Sequence, residues 1–236
     1  MIPIRRLLAA ALLAAAHAGA SPLADLRDDD PTIVNGEAFQ RSHPDLLWRN
    51  RGIFEYQRQR YADAARYFRD AAYYGDKPAQ AMLAMMSWNG EGADTDRAQA
   101  YAWIDLAAER GYESLVATRE KFWAALDEIE RRRALDLGKD LYAKYGDEHA
   151  RDRLEREIVR AKNQLTGSHL GRAGTIAVLL PGPDGRMRPV DGSLFYSSRY
   201  WDPKKYRDWQ DQRWELPQGH VEVGPVQQAA EPDPGR

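Results

Sequence analysis

The fold is decided by the stretch Gly90-Glu-Gly-Ala-Asp-Thr-Asp-Arg-Ala-Gln-Ala-Tyr-Ala-Trp-Ile-Asp-Leu-Ala-Ala-Glu-Arg-Gly111. Glycines at its start interrupt the preceding helix, Asp96 is a residue type that caps a helix start, and Gly111 suits a left-handed C-terminal cap. Between these ends, alanines recur every three or four residues around Trp103, which predicts a helix face that packs very close to a neighbour. The residues that define the pattern are Gly90, Gly92, Asp96, Ala100, Trp103, Ala107, Ala108 and Gly111.

Three further helices are predicted upstream, over about residues 42–58, 61–74 and 76–89. Pro44 is tolerated in the first turn of the first helix, because the early amide groups of a helix have no partner within it. Glycine then separates the second helix from the third and the third from the fourth, which predicts two helix-turn-helix pairs.

The two pairs are related to each other in sequence. A shift of 36 residues places Tyr67 on Trp103 and Gly75 on Gly111. The preceding helices align with a shorter shift, so the second pair has a longer loop between its helices. Because a single pair cannot bury both of its apolar faces, residues 42–111 are predicted to be two stacked repeats.

These residues resemble the Sel-one-like repeat family. The second half of the family's repeat motif is matched by Gly90-x-Gly92, Asp96, Ala100, Trp103, Ala107-Ala108 and Gly111. The first helix of the motif is matched by Ala79, Leu83 and Met86. Ser87 departs from the family, which often has tyrosine there. The first pair, with Trp48, Gly52 and Phe68, is similar to the related tetratricopeptide repeat. The resemblance implies an all-α, α/α solenoid that acts as an adaptor between proteins, often in the cell envelope.

Residues 112–166 continue with a helical but less regular pattern. Apolar stripes run through Leu115, Phe122 and Ile129, and then through Leu154 and Ile158. We expect a degenerate repeat followed by capping helices, with the abundant charges facing water. A coiled coil is the competing interpretation, but the glycines at 138 and 146 interrupt its stripe.

Residues 167–226 have a different composition and are predicted to form a small irregular appendage. A hairpin is expected, with one strand near residues 175–180, a Pro-Gly-rich turn and a second strand near residues 187–190. Asp202-Pro203 predicts the start of a short helix. Residues 227–236 are expected to be a disordered tail.

The first twenty residues have the pattern of a secretory signal peptide. Two arginines precede an apolar run of about ten residues, and Ala18-Gly-Ala20 fits cleavage after Ala20. We therefore expect a periplasmic protein, or alternatively a secreted one, with a flexible leader over residues 21–41. The chain has no cysteine, and no later segment is apolar enough for membrane insertion. A net charge of -2 gives no reason to expect a nucleic-acid partner.

No established catalytic or phosphate-binding motif occurs in the sequence. His43, His149, His169 and His220 are far apart, so each is expected at the surface or at a helix end rather than in a metal site. The sequence therefore predicts no catalytic residue, no cofactor and no metal, and a chain that is not an enzyme.

Protein or peptide binding is the predicted function. The candidate contact residues lie on the first helix of each pair, which lines the concave surface in related solenoids, and they are Tyr56, Met85, Trp88 and Asn89. The alternative is a cell-wall module that binds peptidoglycan or another glycan through rings of the appendage, with Trp201 and Trp209 as the contacts. These rings can equally anchor the appendage to the helical body.

Overall fold

The computed structural model describes residues 31–165, 177–181 and 186–215, and within them it is mostly helical with one two-stranded sheet. None of the described helices is long and apolar enough to cross a membrane. The predicted signal peptide and C-terminal tail lie outside the described residues. The helices are α1 (Pro31–Val34), α2 (Glu37–Ser42), α3 (Pro44–Gln57), α4 (Tyr61–Ala72), α5 (Lys77–Asn89), α6 (Arg97–Ala107) with a 3-10 turn (Ala108–Arg110), α7 (Glu113–Ala125), α8 (Glu128–Tyr145), α9 (Asp147–Leu165), α10 (Gly192–Phe195), α11 (Ser198–Trp201) and α12 (Pro203–Glu215), and the strands are β1 (Ala177–Pro181) and β2 (Met187–Asp191).

Helices α3 to α6 form two packed pairs, α3 with α4 and α5 with α6, and α5 also packs on α4. The first pair is close because α3 presents Gly52 to the ring of Phe68. A Cβ atom at Gly52 would lie 2.5 Å from that ring, a separation that side chains do not adopt. The four helices predicted over residues 42–111 are therefore present, with ends within a few residues of the predicted ones.

The ends of α5 and α6 follow the predicted signals. The carboxylate of Asp76 accepts a hydrogen bond from the amide of Ala79 at 2.8 Å, and Asp96 caps α6 in the same way. Gly90 and Gly111 have φ of 71° and 78°, in the left-handed region where glycine is favoured. The predicted cap conformation at Gly111 is confirmed.

Helix α5 is the centre of the first of two hydrophobic cores. Residues 79–86 are all at most 4% exposed, so α5 is enclosed on every side. We call this first core the helix-pair core. It contains Ala64, Phe68, Ala71, Ala72, Met82, Leu83, Met85, Ala100, Trp103, Ile104, Ala107, Ala108, Tyr112, Phe122 and Tyr145.

Helices α7 to α9 do not repeat the arrangement of α3 to α6. Helix α8 packs along α6 and has few contacts with α7, so residues 112–166 do not form a third pair of the same kind. Ile129, predicted in an apolar stripe, is 73% exposed, and Gly138 lies within α8 rather than interrupting it. The stripe of Leu154 and Ile158 on α9 is buried as predicted.

A second core joins the two ends of the described chain. Ile33 and Phe39, from the segment predicted to be a flexible leader, are fully buried against rings from α10 to α12. The prediction of a flexible leader is therefore wrong for residues 31–41, because these side chains have an apolar partner surface formed by α9, the hairpin and the C-terminal helices. We call this second core the aromatic core. It contains Ile33, Phe39, Leu46, Leu154, Ile158, Leu180, Val190, Phe195, Tyr200, Trp201, Tyr206 and Trp209.

The hairpin and the C-terminal helix are placed on this second core. Strands β1 and β2 pair antiparallel, with Val178 opposite Val190 and Leu180 opposite Arg188. Leu180 and Val190 point into the aromatic core. Asp202 accepts a hydrogen bond from the amide of Lys205 at 3.0 Å, which confirms the predicted start of α12.

Candidate functional site

Two of the predicted contact residues, Tyr56 and Met85, lie in the helix-pair core. Met85 is 1% exposed and Tyr56 is 8% exposed, and the Tyr56 hydroxyl donates to Glu91 at 2.8 Å. Neither side chain can contact a partner without repacking of the core. Met85 is buried because α5 is enclosed on all sides, and Tyr56 because its side of α3 packs into the same core, so neither residue lies on an open concave surface.

The other two, Trp88 and Asn89, are half-buried at the end of α5. The Trp88 ring stacks on Phe122 of α7 with 3.9 Å between ring centroids, and the Arg97 guanidinium lies 5.0 Å from the Trp88 ring centroid. Trp88 therefore already has packing partners on two sides. The four predicted residues do not form one accessible surface.

The rings proposed for glycan stacking are also internal. Trp201 is 1% exposed and Trp209 is 4% exposed, and the Trp201 indole donates to the carbonyl of Phe195 at 2.6 Å. They anchor the C-terminal region, which is the competing role that the sequence allowed. Accessible stacking rings are thus not provided by these two residues.

A buried ionic cluster lies beside the start of α5, and no sequence motif predicted it. The Lys77 ammonium donates to Glu109 at 2.6 Å and lies 3.2 Å from Asp147. Arg110 donates two hydrogen bonds to the same Asp147 carboxylate, at 2.7 and 2.9 Å, and another to Asp211 of α12 at 3.1 Å. The cluster therefore ties α12 and the start of α9 to the helix-pair core.

Opposite charges set the protonation states in this cluster. Burial alone would raise the pKa of Asp147, but Arg110 and Lys77 outweigh it and hold that pKa well below its usual range. Burial lowers the pKa of Lys77, against the attraction of Asp147 and Glu109. Such buried pairs are costly to break once formed. We infer that the cluster fixes how the elements meet.

Asp45 lines a small cavity next to the cluster. Its Oδ2 accepts hydrogen bonds from Tyr206 and Gln210, both at 2.8 Å, whereas its buried Oδ1 has no hydrogen-bond partner among the described residues. Burial raises the pKa of Asp45 and, in spite of the nearby Arg49, raises that of Asp76 to about 6. The cavity holds about 20 Å³, which is room for one water molecule rather than a substrate.

His43 occupies the centre of the aromatic core instead of the surface. Its ring stacks on Phe39 with 4.0 Å between centroids, and its two nitrogens face the carbonyl oxygens of Phe39 and Tyr200 at 2.9 and 2.8 Å. Burial lowers its pKa to about 4, although both carbonyl groups act in the opposite direction. The expectation of a surface position is wrong here, because residues 31–43 are packed, whereas His43 does lie at a helix end, as the N-cap residue of α3.

A partly exposed surface with binding character is found on the first helix pair. Trp48 and Tyr67 are half-buried, with Trp48 packed against the helix-pair core, whereas Arg51, Phe54 and Arg58 are exposed. The rings of Trp48 and Tyr67 stack with centroids 5.8 Å apart, and the Arg51 guanidinium lies 4.9 Å from the Trp48 centroid. At the end of α3, the guanidinium of the C-cap residue Arg58 lies 5.0 Å from the ring of Phe54, which is 51% exposed. We call this surface the arginine–aromatic face. It consists of Trp48, Arg51, Phe54, Arg58, Arg66 and Tyr67.

The sequence contains the signal for this face, although none of its residues was among the predicted contact residues. Trp48, Arg51, Phe54 and Arg58 recur at intervals of three and four residues, which places them along one side of α3. Gly52, the residue that contacts α4, lies one turn after Trp48, so this side borders the contact between α3 and α4. The signal for the arginine–aromatic face is this mixture of basic and aromatic residues at helical spacing.

No protein-family model, curated protein or solved structure matches this chain.

Proposed function

We propose that this chain is an exported, non-catalytic adaptor of the Sel-one-like repeat class that binds a protein or peptide partner. The packing of α3 to α6 supports a repeat solenoid over this part of the chain, since alanines lie at the helix contacts and left-handed glycines follow α5 and the turn after α6. The proposed periplasmic or secreted location rests on the sequence of residues 1–20.

The observation that carries the proposal is the arginine–aromatic face. Tryptophan, tyrosine and arginine are the residue types that contribute most to binding energy at protein interfaces. Tyr67 is half-buried here, whereas the residue aligned with it in the second pair, Trp103, is 3% exposed and covered by Tyr145 of α8 at 5.0 Å between ring centroids. The first pair therefore leaves open a surface that the second pair covers.

Site-specific crosslinking tests this function. A photoreactive phenylalanine analogue is placed at Phe54, and at Val159 on α9 as a control position of similar exposure (51% and 41%). Both variants are expressed in the native host and irradiated. We expect a discrete adduct with a partner protein at position 54 and none at position 159. Absence of an adduct at position 54, or equal adducts at both positions, argues against binding through this face.

A further inference from the structure

We propose that the arginine–aromatic face binds an acidic segment of the partner protein, one in which carboxylates lie on either side of an apolar side chain. This inference rests on the proposed adaptor function and names the chemistry of the partner. The occupant is a protein segment, and it is identified by charge complementarity to two arginines and by contact with the exposed ring between them.

The arginines of the first helix pair differ in whether they form ion pairs. Arg49 and Arg60 on the same helix pair are held by carboxylates, those of Asp76 and Glu55. Arg51 and Arg58 form no ion pair with any described residue, and their guanidinium groups instead rest on rings. Stacking on a ring leaves the N–H groups at the edge of a guanidinium able to donate to a carboxylate.

The spacing of Arg51 and Arg58 matches that of two acidic residues in an extended segment. Arg51 lies in α3 and Arg58, seven residues later, is its C-cap residue, so their Cα atoms are separated by about 10 Å along the helix axis. Two acidic residues three positions apart in a polyproline II segment are separated by about 9 Å and face the same side. Such a segment can therefore pair with both arginines at once.

An exposed aromatic ring lies between the two charges in sequence. Phe54 lies between Arg51 and Arg58 in sequence and is 51% exposed. An apolar side chain of the partner that covers this ring would remove apolar surface from water, which a purely ionic ligand would not do. Arg66, the third arginine of the face, lies 3.5 Å from Asp63, which leaves Arg51 and Arg58 as the arginines of the face without an ion pair among the described residues. Two arginines are a smaller basic surface than the lysine and arginine clusters that nucleic acids and anionic membranes require. These features favour an acidic peptide with apolar residues.

Fluorescence anisotropy with synthetic peptides tests the proposal on the purified protein. The probe is a labelled peptide of four Glu-Phe-Pro repeats, which is compatible with a polyproline II conformation. Matched peptides replace Glu by Gln or Phe by Ser. We expect the Glu-Phe-Pro peptide to bind at least about tenfold more tightly than either matched peptide, and its affinity to fall as salt is raised.

A double variant, Arg51→Glu with Arg58→Glu, is expected to lose at least about tenfold in affinity for the Glu-Phe-Pro peptide. Its control is Arg132→Glu with Arg156→Glu, which makes the same change in net charge at exposed positions of α8 and α9 and should bind like the unchanged protein. Circular dichroism confirms that both variants are folded.

Three results overturn the acidic-segment proposal: no binding of the Glu-Phe-Pro peptide, equal binding of the Gln-Phe-Pro peptide, or equal loss in both double variants. Binding of phosphatidylglycerol vesicles or of RNA that exceeds peptide binding and depends on Arg51 and Arg58 overturns it as well. If the adduct at position 54 forms but the peptide does not bind, the adaptor function stands and the partner chemistry fails. If neither is seen, both proposals fail.

Discussion

The helix-pair core and the aromatic core bury similar kinds of side chain but assemble them from very different parts of the chain. In the helix-pair core, consecutive helices pack on each other through alanines and glycines. In the aromatic core, a short N-terminal segment packs against helices more than 150 residues later, as the hydrogen-bond partners His43 and Tyr200 are 157 positions apart. The first core is therefore local, whereas the second depends on bringing both ends of the described chain together.

This difference bears on where function can lie. The helix-pair core contains the predicted contact residues Tyr56 and Met85, and the aromatic core contains Trp201 and Trp209. The arginine–aromatic face is only partly covered by the helix-pair core, through Trp48. Substitutions that act on one core and leave the other intact test this difference between the two cores.

Replacement of Phe39 should have the largest effect. Phe39→Ala removes a fully buried ring that contacts His43, Tyr200 and Trp201, and should lower the free energy of unfolding by about 3–5 kcal/mol. Urea denaturation followed by tryptophan fluorescence measures it. The matched control is Phe54→Ala, whose ring is half exposed and should cost much less. A small effect of Phe39→Ala would indicate that residues 31–41 are a flexible leader and not part of the core.

Acidification should weaken the aromatic core through His43. Because burial lowers the pKa of His43 from 6.5 to about 4, the unfolded chain takes up a proton before the folded one does. Folding stability is therefore lost as pH falls from about 6.5 to 4, by about 3 kcal/mol from this group. His43→Gln should remove this loss, so that the gap between variant and unchanged protein narrows at pH 4. Parallel stability profiles at pH 4 and 7 would refute the assignment.

Asp76, at the start of α5, should respond to pH in the opposite direction. Burial raises its pKa from 3.8 to about 6, so the folded protein keeps this proton after the unfolded chain has lost it. Stability is then lost as pH rises from about 4 to 6, by about 3 kcal/mol. Asp76→Asn keeps a capping side chain and should abolish this dependence.

Asp96→Asn is the matched control for Asp76, since both residues cap a helix. Burial acts on Asp96 too, but the hydrogen bonds from Arg133 outweigh it and lower the pKa of Asp96. Asp96→Asn leaves Asp76 in place and should therefore keep the loss of stability between about pH 4 and 6 that Asp76→Asn abolishes. Unfolding free energies from urea titrations at pH 4, 5, 6 and 7 distinguish the two variants. The same pH profile for both would show that burial does not set the pKa of Asp76.

Two glycines should give the smallest effects, with opposite signs. Gly111 has φ of 78° and open space around its Cβ position, so Gly111→Ala should cost about 1 kcal/mol through backbone conformation alone. Gly138 lies within α8 and is also free of close contacts, so Gly138→Ala should stabilise by about 0.5–1 kcal/mol. Thermal unfolding of the two variants checks both signs. A neutral Gly111→Ala would mean that the cap at this position is not rigid.

The helices of the helix-pair core were predictable because each is marked by local signals. Asp76, Gly90, Asp96 and Gly111 act within a few residues of their own position, and the alanine spacing reports a close helix contact directly. The finer statement, that residues 42–111 are two repeats of a solenoid, stays a prediction.

The aromatic core was not predictable in the same way. Ile33 and Phe39 lie in a short segment without helical periodicity, and their burial depends on rings from residues 195–209. Residues 79–86 are apolar apart from Gln80, which is typical of a helix covered on all sides, but no nearby residue indicates that Phe122 of α7 stacks on Trp88. Burial by distant elements removed the predicted contact residues from the surface.

Hydrogen exchange measured by mass spectrometry tests most directly whether the two ends of the described chain form one core. We predict that amides of residues 37–46 and 195–209 are protected to a similar degree, and that Phe39→Ala increases exchange in both segments while residues 79–86 remain protected. Rapid exchange over residues 37–46 together with continued protection of residues 195–209 would contradict the shared core.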